Sequence, residues 1–123
     1  WMAQNGTEAR EYAWGEWDEH PRTNTNEAGI GDRSTAVGMY PHGAAKCGAL
    51  DVAGNLSEWC LNNKSKVHQA SFGTENKVLR GGSFRYGQNL AASSNREFSH
   101  SPIKGGNFDG FRLVVSIHYA SLT

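Results

Sequence analysis

The residues best placed to do chemistry in this chain are Asp51 and Glu58, which bracket the turn Ala53-Gly54-Asn55 within "LDVAGNLSEWC", residues 50–60. Two carboxylates around a turn whose carbonyl oxygens can point inward form a set of hard oxygen donors, the kind calcium takes. The spacing is not that of an EF-hand. The same residues also suit an Asp that caps a turn and a Glu that pairs on the surface, so the residue types leave both readings open. Few other chemical patterns compete. The histidines, His20, His42, His68, His100 and His118, show no HxH, HxxxH or HExxH spacing, so a zinc site would have to be assembled entirely by the fold. Cys47 and Cys60 are too few for a disulfide-built scaffold and read either as a pair or as two small buried thiols. There is no Gly-x-Ser-x-Gly elbow and no distinctive carboxylate pair. "GIGDRS", residues 29–34, lacks the third glycine and the preceding strand of a dinucleotide loop.

The elements that position these residues must come from one small domain. A chain of 123 residues supports a single core. Its opening, "WMAQNGTEAREYAWGEW", reads like the middle of a longer sequence, so one domain over 1–123 that lacks its N-terminal part is expected. Lys+Arg and Asp+Glu balance at 12 each, with a pI near 7.1 and no run of like charge, which argues against nucleic acid or anionic lipid as a partner. The longest apolar stretch, 111–117, is far short of a membrane span, and no basic-then-apolar signal peptide pattern opens the chain. A soluble protein without membrane insertion is expected, in a compartment the sequence does not specify.

Fifteen glycines and a mean hydropathy of −0.61 would suit a disordered chain, but four Trp, four Tyr and five Phe are spread along the whole length. Aromatic side chains are therefore expected to build the core. Residues 1–10 read as the end of a helix broken at Asn5-Gly6, and residues 20–38 as a long ordered loop, since they show no apolar period. Short strands are expected at 36–39, 78–79 and 111–116, the last, in "FRLVVSI", being the strongest strand signal.

Four blocks in order, "YAWGEW", "TAVGMYPHGAAKCGALDVAGNLSEWC", "KVLRGGSF" and "DGFRLV", make the chain resemble the C-terminal part of a formylglycine-generating enzyme, or sulfatase-modifying factor, domain. The resemblance covers nearly the whole chain. It implies an α+β, C-type lectin-like fold with a small twisted antiparallel sheet and much irregular loop structure. It also implies a structural calcium site, with the Asp51 carboxylate, the Gly54 and Leu56 carbonyls and the Glu58 carboxylate as ligands; Ser57 stands where the family usually has Trp. A second family calcium site would fall near Asn24 and Thr25. In "RGGS", Gly81 and Gly82 are expected to take positive φ or approach another strand closely, while Arg80 and Arg112 hold neighbouring carbonyls or acids.

Catalytic members of this family bind copper through two cysteines just after "RGGSF", and cuprous copper needs soft thiolates. The matching positions here fall at about Tyr86 and Ala91, so no copper and no formylglycine generation are expected. A related branch makes sulfoxides with iron held by three histidines on a separate domain. The residues after "RGGSF" point elsewhere. Arg85-Tyr86-Gly87 and "EFSHSPIKGGNFD", residues 97–109, mix aromatic, charged, small and amide side chains without a period. They resemble the variable region of diversity-generating retroelement target proteins, a group with the same lectin-like fold, in which adenine-rich codons are randomised between an "RGGS" start and a "GFR" end. The resemblance implies a non-catalytic domain that binds an unidentified protein or small ligand through residues 85–109. Arg85, Tyr86, Phe98, His100, Ile103, Lys104, Asn107 and Phe108 are its candidate contacts, by the same logic that makes aromatic, Ser, Gly and Asn residues useful in antibody loops. The alternatives are a degenerate structural member of the family, in which Tyr86, Phe98 and Phe108 would be buried, and an active oxidase.

Overall fold

A computed structural model describes residues 2–65 and 73–115. Regular structure is sparse. Strands β1 (Ser57–Asn63), β2 (Lys77–Arg80), β3 (Ser99–His100) and β4 (Asp109–Gly110) form one sheet in the order β3-β2-β1-β4. A single helical turn, α1 (Gln88–Ala91), and three short 3-10 turns complete the described elements. The β1–β2 and β2–β3 pairs are antiparallel, whereas β4 runs parallel to β1, with Ser57 opposite Asp109 and Glu58 opposite Gly110. The sheet is therefore mixed rather than antiparallel. A parallel neighbour requires a crossover, and the long excursion through β2, α1 and β3 supplies it.

Three local expectations meet tertiary constraints. Residues 2–10 hold turns and a 3-10 segment (Gly6–Glu8) rather than a helix end, because Asn5, Gly6 and Ala9 all take positive φ. Residues 36–39 form a turn in which the Met39 N–H bonds the Ala36 carbonyl, and Gly38 at φ +77° is incompatible with an extended strand. The strand expected over 111–116 does not form in residues 111–115, and residue 116 lies outside the described residues. The aromatic and β-branched residues of "FRLVV" suit a strand, but a strand needs a ladder, and the β1–β4 pairing stops at Gly110. Leu113, Val114 and Val115 are left exposed.

The aromatic core is present. Tyr12 is buried, stacks on Trp14 at 5.3 Å and meets Trp17 edge-on at 5.1 Å, and it packs with Ala53 and Ala91. Tyr40, Phe84, Val78 and Leu79 are also buried. Much of the rest of the interior is polar. The loop expected over 20–38 is ordered: Thr23, Asn24 and Thr25 run through the centre with at most 5 % exposure, and the Asn24 carbonyl accepts the Asn55 N–H at 2.8 Å. Asn55 is the hub of this interior. Its Oδ1 accepts from the Thr35 N–H at 2.9 Å and from the Thr35 hydroxyl and Asn24 Nδ2 at 3.3 Å, while its carbonyl accepts the Phe84 N–H at 3.0 Å. A buried amide so fully bonded ties three chain segments together without apolar bulk.

Candidate functional site

The "RGGS" block works as a clamp. Gly81 and Gly82 have φ of +90° and +69°, and a Cβ on either would lie 2.7 Å from the Val52 carbonyl or 2.9 Å from the Leu90 carbonyl. Only glycine allows this approach. The Gly81 carbonyl accepts the Gly54 N–H at 2.7 Å, which joins the clamp to the 51–58 block. Arg80 donates to the Ser93 carbonyl at 2.5 Å, and Arg112 donates to the Leu50 carbonyl at 2.7 Å and to Glu58. Both arginines thus hold a carbonyl or an acid, as expected.

From this clamp the chain emerges into the candidate binding face. Tyr86 stacks on Phe98 with centroids 4.6 Å apart and meets Phe108 edge-on at 5.9 Å. The Arg85 guanidinium lies 5.4 Å from the centre of the Phe108 ring and forms an ion pair with Asp32, through Nη2 and Oδ2 at 2.5 Å. Those hydrogen bonds hold the Asp32 carboxyl below the usual carboxylate range. His100 meets Phe108 and Trp59 edge-on at 6.4 and 6.3 Å, and its Nδ1 lies 3.3 Å from Asp109 Oδ2. Strand β3 fixes His100 by pairing it with Lys77.

Five candidate contacts, Arg85, Tyr86, Phe98, His100 and Phe108, therefore form one continuous ridge. The other three, Ile103, Lys104 and Asn107, are exposed on the turn between β3 and β4. Tyr86, Phe98 and Phe108 are half-buried: each supports the others yet keeps part of its surface in solvent. Sequence reasoning missed Asp32, Trp59 and Asp109. Asp32 is remote in sequence, Trp59 sits inside a framework block, and Asp109, although it ends the 97–109 stretch, is also the first residue of the framework block "DGFRLV".

The thiols are separate from this face. Cys47 is exposed and Cys60 half-buried in β1, and neither is in a disulfide, so the fully buried pair of small thiols is not found. Burial pushes the Cys60 thiol up. Tyr86 and Ala91, at the positions where the resemblance places copper ligands, are occupied by ring stacking and by core packing against Tyr12. Among the described residues no three His, Cys, Asp or Glu side chains cluster as a metal site would require.

In the 51–58 block both carboxylates that would hold calcium already have partners. Asp51 Oδ2 accepts the Gly38 N–H at 2.6 Å. Both Glu58 oxygens accept from Arg112, Oε1 at 2.7 Å and Oε2 at 2.9 Å, and this pairing raises the Arg112 guanidinium further above its ordinary value. Arg112 takes up one acceptor direction on each Glu58 oxygen, so a calcium ion there would have to share the carboxylate with the guanidinium or displace it.

A mixed sheet of short strands, a polar glycine-clamped interior and a side-chain face beyond the clamp define a C-type lectin-like domain. The family of sulfatase-modifying factor enzyme 1-like domains matches residues 2–117, and the chain belongs to that family. Two curated relatives are named hercynine oxygenase. The one from Mycobacterium tuberculosis is 32 % identical over 95 % of this chain, and the one from Mycolicibacterium thermoresistibile 30 % over 88 %. The chain spans 29 % and 27 % of the lengths of these relatives. Treponema denticola variable protein 1 shares the fold, with a TM-score of 0.71 and 24 % identity over 90 % of this chain and 42 % of that one. Among the described residues no helix is long and apolar enough to cross a membrane.

Proposed function

We propose that this chain is a non-catalytic binding domain of the formylglycine-generating enzyme family, presenting a variable surface at residues 85–109 to a protein or a small ligand. The observation that carries this reading is the ridge itself. Arg85, Tyr86, Phe98, His100 and Phe108 touch one another, stay partly exposed, and stand directly beyond a glycine clamp that is indifferent to their identity. Rigid aromatic anchors with an adjacent guanidinium bind at low entropic cost, while the exposed Ile103, Lys104 and Asn107 on the neighbouring turn adjust the fit. The half-exposure of the three aromatic rings favours this reading over a purely structural one.

Sequencing this gene and its flanks in many isolates tests the retroelement version. Substitutions confined to adenine-containing codons from 85 to 109, beside a reverse transcriptase and a near-copy template repeat, are the expected result. An invariant segment with neither neighbour would overturn it.

A second reading is favoured by the names of the two curated relatives: this domain as part of an oxygenase, with the same ridge forming one wall of a substrate site. A three-histidine iron domain elsewhere in the same polypeptide, with iron-dependent sulfoxide formation, would select that reading. Copper-dependent oxidation of a peptide thiol would instead select an active formylglycine-generating oxidase.

A further inference from the structure

We propose that Arg112 is the built-in cation of the 51–58 block: its guanidinium takes the place at Glu58 that a calcium ion would need, so this block holds its shape without metal. The inference concerns the framework and stands whichever ligand the 85–109 face takes. Calcium gathers carboxylates and backbone carbonyls from a turn, and Arg112 gathers the same donor types here. Its Nε and Nη2 reach both Glu58 oxygens, at 2.9 and 2.7 Å, and Nη2 also reaches the Leu50 carbonyl at 2.7 Å. One side chain thereby spans both ends of the block.

The two-pronged pairing matches a planar guanidinium to a planar carboxylate, a geometry that a point charge does not reproduce. An ion at Glu58 would have to displace Arg112 and leave its side chain, about a quarter exposed, without its acid, or else sit beside a second positive charge. Asp51 cannot compensate at no cost, since its Oδ2 is bound to the Gly38 N–H at 2.6 Å. The same residues line one cavity of about 310 Å³, walled by Asp51, Leu56, Glu58, Gly110 and Arg112. Removing the guanidinium would leave two carboxylates on that cavity with no cation between them.

The test compares thermal midpoints in millimolar calcium chloride and in EGTA for the full chain and for Glu58→Gln and Arg112→Met. The calcium-induced shift is expected to be equal in wild type and Glu58→Gln, to within about 1 °C, even if calcium acts at some other place on the protein. Arg112→Met is expected to melt about 5–10 °C lower in EGTA and to gain several degrees more from calcium than wild type does. Should Arg112→Met fail to fold, Arg112→Gln provides the same comparison, and the wild-type against Glu58→Gln arm is independent of both. A wild-type calcium shift that Glu58→Gln loses would overturn the proposal, as would an arginine variant with no added calcium response.

Discussion

The 51–57 and 81–84 segments and the 85–109 segment are neighbours built on opposite principles. In the first pair, main chain meets main chain: Gly54 N–H to the Gly81 carbonyl, Phe84 N–H to the Asn55 carbonyl, and Asn55 N–H to the Asn24 carbonyl. Ala53, Ser57 and Ser83 are small, Asn55 is an amide, and Asp51, Gly54, Asn55, Gly81 and Gly82 hold positive φ. In the second segment the contacts are ring on ring, guanidinium on ring and carboxylate on guanidinium, and they face solvent. A backbone junction tolerates almost no added atom, whereas a face of mutually supporting side chains can exchange its members while the backbone beneath stays fixed.

The contrast can be broken most directly at Gly54. A Cβ there would overlap the Thr23 hydroxyl oxygen and crowd the Asn24 carbonyl, on a backbone at φ +74°. Gly54→Ala is expected to cost on the order of 3–5 kcal/mol, read as loss of the cooperative urea transition by circular dichroism. Asn55→Leu comes next. It would strip the Thr35 and Asn24 groups of their shared acceptor at a buried site, and a loss of about 2–4 kcal/mol in urea melts is expected.

On the ridge the effects should be smaller for stability and larger for binding. Tyr86→Ala removes one ring from a half-buried stack, so about 1–2 kcal/mol of stability is expected to go, while ligand affinity falls at least tenfold. A Tyr86→Ala protein that loses as much stability as Gly54→Ala would show that the ridge is core and not surface. The smallest effect belongs to Arg85 and Asp32, an exposed pair. A double-mutant cycle should give a small coupling that fades as salt is raised.

Much of the clamp was legible in the sequence, and its legibility follows from that contrast. Gly81, Gly82, Arg80 and Arg112 do what their residue types demand, because positive φ and close approach admit few alternatives. Asn55 was readable only as part of a turn. Its part as a hub depends on Asn24 and Thr35, which lie 31 and 20 residues away. The strand expected at 111–116 shows the same limit from the other side: the strand-favouring residue types are present, but pairing depends on a neighbour that local sequence does not specify.

The order of the framework blocks carried the resemblance that implied the lectin-like class, and by itself the sequence determined the aromatic supply of the core and the location of an aperiodic stretch at 85–109. These are properties of residue type and spacing. Only the tertiary structure decided that β4 lies parallel to β1, that Asp32 reaches Arg85 and Trp59 reaches His100, and that Glu58 pairs with Arg112. Each of these joins residues far apart in the chain, through hydrogen-bond and charge geometry that exists only once the loops are folded over one another.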